Sequence, residues 1–204
     1  EVVIDGGDGN DEIIIADTFT RKATIRGGAG RDNLVSYSDG DIYFDGGADD
    51  DTLVQFGDAG VVFRGGTGDD ELIGGSGMDT LFGDAGNDRI YGDEAGTLYG
   101  TKGSSKLGDG DFIYAGDGDD IIFGQFGDDV IFGEGGNDRI FGQDGDDKLN
   151  AGAGRDQLYG QEGNDRLQGV SGVNLLVGGL GDDVVLGGVG ADTIRWTVGD
   201  GKDF

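Results

Sequence analysis

The chain has 204 residues, of which 48 are Gly, 42 acidic and 14 basic, and its formal net charge is −28. The absence of His, Cys and Pro excludes imidazole- or thiolate-based triads, ordinary zinc sites, disulfide staples and collagen. The charge repels nucleic-acid phosphates and anionic lipid, and on so Gly-rich a chain it predicts disorder unless something neutralises it.

The chain opens on Glu1-Val2-Val3-Ile4-Asp5, with neither the basic nor the apolar region of a Sec-type signal. The longest apolar run, Ile13-Ile14-Ile15-Ala16, is far too short to span a bilayer. From residue 1 to 64 a Gly-rich turn recurs about every twenty residues, at Gly6-Gly7, Gly27-Gly28 and Gly46-Gly47, closed by Asp11, Asp32 and Asp51. The turns between them, at Ala16–Arg21, Ser36–Asp41 and Phe56–Gly60, are degenerate. Ile4, Ile25, Phe44 and Phe63 hold an apolar slot, followed by Asp5, Arg26, Asp45 and Arg64. Alternating signs suit neighbours on stacked strands.

From residue 65 to 195 the period halves. Asp70, Asp79 and Asp88, then Asp111, Asp120, Asp129, Asp138, Asp147, Asp156, Asp165, Asn174, Asp183 and Asp192, stand nine residues apart, interrupted by an insertion at 93–107. Two places after each comes a large aliphatic side chain, from Leu72 to Ile194, and before each a Gly-rich turn such as Gly74-Gly75-Ser76-Gly77-Met78-Asp79. The unit is G-G-x-G-x-D-x-U-x, with U aliphatic. Its turn needs backbone angles that Gly adopts with least strain, and its three following residues fit a short strand with one side chain inward. Two units make an 18-residue coil. Stacked coils place like strands in parallel about 4.8 Å apart, with the U residues as a thin core that no single repeat could bury. The expectation is an all-β, parallel β-roll, a right-handed β-solenoid running continuously from the one-edged coils into the two-edged ones. The insertion is expected to be a surface loop, with Lys102 and Lys106 as the docking alternative.

Asp outnumbers Glu six to one and holds one fixed place per turn, unlike a merely solvated acidic face. A fixed carboxylate beside exposed carbonyls makes an oxygen-only cage, which suits a hard cation, and many flexible oxygens favour Ca²⁺ over Mg²⁺. About a dozen divalent ions would offset most of the charge. No catalytic constellation is visible, and pairs such as Asp119–Asp120 are too numerous to single out a glycosidase site. The aromatic rows Tyr91, Phe123, Phe141, Tyr159 and Phe82, Tyr114, Phe132 are expected to stack on themselves, with a carbohydrate or cell-surface ligand as the alternative. Turn position 3 carries no Thr ladder of the kind an ice-binding edge would use.

The repeat resembles the nonapeptide of RTX (repeats-in-toxin, haemolysin-type calcium-binding) proteins, and the resemblance covers nearly the whole chain. It implies Ca²⁺ between turns one coil apart on the same edge. The earlier turn would give carbonyls from positions 2 and 4 with its Asp, and the later turn carbonyls from positions 1 and 3 with its Asp. On one edge the implied ligands are Gly7, Gly9 and Asp11, then Gly27, Gly28, Ala29, Gly30 and Asp32, then Gly46, Gly47, Ala48, Asp49 and Asp51. They continue with Gly65, Gly66, Thr67, Gly68 and Asp70, with Gly83, Asp84, Ala85, Gly86 and Asp88, and with Ala115, Gly116, Asp117, Gly118 and Asp120. The row ends with Gly133, Glu134, Gly135, Gly136 and Asp138, then Ala151, Gly152, Ala153, Gly154 and Asp156, then Gly187, Val189 and Asp192. On the other edge they are Gly75, Gly77 and Asp79, Asp111, and Gly124, Gln125, Phe126, Gly127 and Asp129. Gly142, Gln143, Asp144, Gly145 and Asp147 follow, then Gly160, Gln161, Glu162, Gly163 and Asp165, and finally Gly178, Leu180 and Asp183.

Three departures stand out. Asn174 removes a charge, Asp49 replaces a turn Gly where a positive φ is uncomfortable, and the insertion obscures the ligands around Asp111. Residues 196–204 resemble the start of a terminal cap, so the chain reads as a fragment. The resemblance implies a calcium-binding structural module, not itself an enzyme, of a bacterial protein exported by type I secretion and folded by extracellular Ca²⁺. The alternatives are an adhesion module or the non-catalytic domain of a secreted protease, lipase or alginate epimerase. Flanking domains of the same polypeptide would be its partners.

Overall fold

A computed structural model describes residues 1–93, 110–196 and 201. Two parallel sheets face each other across a thin core. The first runs through Val2–Asp8, Ala23–Ala29, Ile42–Ala48, Val62–Thr67, Thr80–Ala85, Phe112–Asp117, Val130–Gly136, Lys148–Asn150, Arg166–Gln168 and Val184–Leu186. The second runs through Glu12–Ile15, Asn33–Ser36, Thr52–Gln55, Glu71–Ile73, Arg89–Tyr91, Ile121–Phe126, Arg139–Asp144, Gln157–Glu162, Leu175–Leu180 and Thr193–Arg195. Each strand pairs with its counterpart one coil away, so the roll has ten coils. The pairing continues without a slip across residues 94–109: Ile90 is opposite Ile122, and Leu81 is opposite Ile113. The expected loop lies outside the described residues, with Lys102 and Lys106.

Register follows from the apolar slot, because a one-residue slip would turn every inward side chain to water. Ile25, Leu34, Phe44, Leu53, Phe63, Leu72, Leu81, Ile90, Ile113, Ile122, Ile131, Ile140, Leu158, Leu167 and Leu176 are all 0% exposed. Each such burial stabilises the roll by roughly 1.5–3 kcal/mol. At the ends the core is open: Ile4 and Ile13 are only partly buried, and Ile194 is 38% exposed.

Several strands are longer than the three residues the repeat suggests. Val2–Asp8, for example, runs through the first turn residues, with Gly7 opposite Gly28 and Asp8 opposite Ala29. Adjacent turns stack as closely as adjacent strands. On the outer face Asp5, Arg26, Asp45 and Arg64 are successive partners. The row ends with Arg64 over the Phe82 ring at 5.2 Å and 3.5 Å from Asp84. Tyr91, Phe123, Phe141 and Tyr159 form a stacked row with centroids 4.9–5.2 Å apart, and Phe82, Tyr114 and Phe132 form another at 5.0–5.3 Å. The rings in the interior of a row spend both faces on each other.

Candidate metal centre in the turns

Call the edge on which the chain leaves the first sheet the first edge, and the other the second edge. On both, the Asp that ends each regular turn points inward and is buried: Asp32, Asp51, Asp70, Asp79, Asp88, Asp111, Asp120, Asp129, Asp138, Asp147, Asp156 and Asp165 are at most 3% exposed. One carboxylate oxygen, Oδ1, has a fixed partner, the backbone N–H at the same place one coil earlier. Asp11 N–H donates to Asp32 at 2.8 Å, Asp70 to Asp88 at 2.8 Å, and Asp129 to Asp147 at 2.8 Å. The row survives the insertion, where Asp79 N–H donates to Asp111 at 2.8 Å.

The other oxygen has nothing. Oδ2 of Asp11 and of the twelve aspartates named above is buried without a hydrogen-bond partner. A buried orphan acceptor costs about 1–3 kcal/mol, more when charged. Desolvation accordingly raises ten of the buried carboxyls far above the ordinary 3.8: to about 9 for Asp111, about 8 for Asp79, Asp138 and Asp147, about 7 for Asp70, Asp88, Asp129 and Asp165, and about 6 for Asp51 and Asp120. The backbone N–H pulls the other way, and neighbouring aspartates add to the rise in most of them, as Asp79 and Asp129 do at Asp111.

Position 1 of the turn explains why Gly stands there. A Cβ on Gly27 would collide with Asp32 Oδ2 of its own turn and with the carbonyl of Gly46 one coil on. Gly124 is placed the same way between Asp129 Oδ2 and the Gly142 carbonyl, and Gly142 between Asp147 Oδ2 and the Gly160 carbonyl. Each such glycine leaves a small cradle in which an orphan carboxylate oxygen and a carbonyl from the next coil converge. Among the described residues no group of three or more carboxylates converges on one point, so any ion here would rely on carbonyls as much as on charge. Hard oxygens alone, drawn from two turns, suit the six-to-eight-oxygen shell of Ca²⁺.

The turn positions inferred from the sequence are brought together in pairs. Gly66 lies opposite Asp84 with Thr67 opposite Ala85, and Gln125 opposite Gln143 with Phe126 opposite Asp144. Position-3 carbonyls accept an N–H from the preceding coil, as Ala85 does from Gly68 at 2.9 Å, which leaves each a second lone pair. Asp49 does take the positive φ, at 77°, and position 2 forces the same on Gln125, Gln143 and Gln161 at 83–87°. Asn174 differs from its neighbours. Its Oδ1 accepts Asp156 N–H at 3.0 Å, but its Nδ2 donates to the Gly169 carbonyl of its own turn at 3.0 Å. Across the insertion, Asp111 Oδ2 still stands where a Cβ on Gly92 would be.

A second ladder, at turn position 5, escaped the sequence reading. Here the earlier coil's side chain accepts the later coil's N–H, opposite in sense to the buried row. Asp69 accepts from Asn87 N–H at 2.9 Å, Asn87 from Asp119 at 3.0 Å, and Asp119 from Asn137 at 2.7 Å. Asp128, Asp146 and Asn164 repeat it on the second edge. The signal lies in the sequence as Asp or Asn at turn position 5 in most turns, Arg31, Met78, Gly110, Arg155, Val173 and Ala191 being the exceptions.

A family model for the RTX calcium-binding nonapeptide repeat matches residues 2–14, 64–95, 107–140, 124–158, 132–167 and 159–194, which together take in well over half of the chain. The longest unmatched stretch, 15–63, is the one whose second-edge turns are degenerate. No curated protein matches the chain. The repeat, the buried carboxylates it places and the coverage of the match make this chain a member of the RTX calcium-binding nonapeptide repeat family.

Proposed function

We propose that this chain is a calcium-dependent structural module of an exported protein. On this reading it stays unfolded where Ca²⁺ is scarce, passes through a type I secretion route, and folds outside the cell. The observation that carries the reading is the row of buried aspartates whose Oδ2 atoms lack any partner, in a chain of net charge −28. Ca²⁺, when bound, would supply the positive charge that offsets paired carboxylates. The chain's own part is to fix Oδ1 through a backbone N–H, aim Oδ2 at the cradle, turn carbonyls toward it and exclude water. The residues that would hold the ions are the paired turn residues on each edge, such as Gly66, Gly68 and Asp70 with Gly83, Ala85 and Asp88.

Binding only the folded state stabilises it by about 2.7 kcal/mol per site at 100 times the dissociation constant, so many sites make folding conditional on the ion. Circular dichroism at neutral pH should show coil in chelator and β structure on adding Ca²⁺, with far less response to Mg²⁺. A full β spectrum in chelator at that pH would reject the reading.

A further inference from the structure

The two edges of the regular coils differ in their cradles. On the second edge, at Gly92, Gly124, Gly142 and Gly160, the point a Cβ would take lies 2.1–2.9 Å from both an orphan Asp Oδ2 and a carbonyl of the next coil. On the first edge the row from residue 83 onward is broken. Gly83 and Gly133 keep the open point, but Ala115 and Ala151 stand where glycine is expected. Both alanines are 0% exposed and belong to the hydrophobic core cluster, so their methyls lie inside the roll, where glycine leaves room. The third break is chemical. At Gly169 the open point is approached by the Gly187 carbonyl and, at 2.8 Å, by Asn174 Nδ2, a hydrogen-bond donor instead of an oxygen. That nitrogen is held there by its bond to the Gly169 carbonyl.

We propose that the turns beginning at Ala115, Ala151 and Gly169 are weak calcium sites, all on one edge, which fill only after the open cradles elsewhere are occupied. The inference rests on the calcium reading above and adds to it a binding order. A methyl at position 1 stands where the glycines leave room beside an orphan Oδ2, and so crowds the space an ion would need beside Asp120 or Asp156. A carboxamide that presents N–H repels a cation outright. Neither change disturbs the Oδ1 row, since Asp88 N–H still donates to Asp120 at 2.6 Å, Asp138 N–H to Asp156 at 3.0 Å and Asp156 N–H to Asn174 at 3.0 Å. The roll is therefore expected to keep its shape with these three sites empty. Such an arrangement would let one edge respond to calcium in a concentration range where the rest is already saturated.

The test is a calorimetric Ca²⁺ titration of the full chain, with ions counted by native mass spectrometry. The wild type should fill in two phases, the weaker accounting for about three ions. The triple variant Ala115→Gly, Ala151→Gly, Asn174→Asp should tighten that phase about tenfold or more, the usual size of an effect on metal affinity from groups around the ligands, and merge it with the first. The converse variant Gly142→Ala should move one ion from the tight phase into the weak one. Uptake in a single phase by the wild type, or a triple variant whose phases do not move, overturns the binding order while leaving the calcium reading intact. A chain that takes up no Ca²⁺ overturns both.

Discussion

The second edge is built in two ways within one roll. From Gly74 onward its turns pair a glycine at position 1 with a buried aspartate at position 6. In the first three coils the same two columns hold Ile15 with Ala23, Ser36 with Ile42, and Gln55 with Val61. Ala23, Ile42 and Val61 are 0–3% exposed, and with Ile15 they belong to the core cluster. The sheets continue through both regions, and Val61 N–H donates to Asp79 Oδ1 at 2.8 Å just as an aspartate N–H would. The plugged turns make polar bonds of their own: Ser38 Oγ donates to the Phe19 carbonyl, and Gln55 Nε2 to the Ser38 carbonyl at 2.7 Å. The roll can therefore be closed at these columns by ordinary apolar packing. Where it is closed by buried aspartate instead, architecture does not require it, and the cost has to be met by something that binds there.

The strongest way to break that comparison is to exchange the two solutions. Replacing Asp111, Asp129, Asp147 and Asp165 by Val, after the pattern of Val61, should remove about four ions and leave part of the β signal standing in chelator. The reverse change, Val61→Asp, puts a charge beside Gln55 with no open cradle and should destabilise the calcium-bound fold by about 3 kcal/mol or more. Chelator titrations followed by circular dichroism read both. If the fourfold valine variant needs as much calcium as the wild type, the carboxylates are not what makes folding conditional.

How far the sequence reached can be stated for particular residues. The nine-residue period placed Leu72 through Val185 in the core and the aspartates at the turn ends, because a repeated unit must satisfy the same steric demands in every coil; Ile194, in the last coil, stays 38% exposed. It also anticipated the positive φ of Asp49 and the stacking of Phe123 on its neighbours. It did not show that Ile42 and Val61 stand in the aspartate column, because irregular turns of unequal length hide their register until the sheets fix it. The outer ladder at Asp69, Asn87 and Asp119 was hidden for another reason. Partners 18 or 32 residues apart become neighbours only once coils are stacked. The contrast between Gly124 and Ala115 was likewise mute, since its meaning lies in the oxygen that a methyl would displace.

Protons offer a gentler probe of the same difference. In the metal-free chain the buried carboxyls are raised in the folded state, most to values from about 6 to about 9, against 3.8 unfolded. The folded chain thus binds more protons than the unfolded one between those limits. Their contribution to stability is complete below about pH 4 and is lost as the pH rises through the folded values. In chelator, β structure should be recovered on acidification from pH 9 toward pH 5, and the plugged columns at Ala23, Ile42 and Val61 should contribute nothing to that dependence. With calcium present the sign reverses, because protons compete for the ligands, and affinity should fall as the pH falls. A metal-free chain equally unfolded at both ends of the range would contradict the burial of these groups.

The smallest expected effect separates the two regions by their outer faces. In the regular coils Phe123 stacks between Tyr91 and Phe141 at 5.2 and 4.9 Å. In the plugged coils Tyr37 stacks, among the described residues, on Phe56, at 5.0 Å and 16° between planes, and is 47% exposed. Each stacked pair is worth about 0.5–1.5 kcal/mol beyond the area it buries. Phe123→Leu, which keeps an apolar side chain on the strand, removes two pairs and should cost about 1–3 kcal/mol, while Tyr37→Leu removes one and should cost about half as much. Both belong in urea denaturation at saturating calcium, where the ion sites are full and the difference reports packing alone. The calcium midpoint should move little in either variant, because neither ring touches a cradle. An equal loss at the two positions would mean that the rings act singly, and that the regularity of the long row adds nothing to the stability of the coils that carry it.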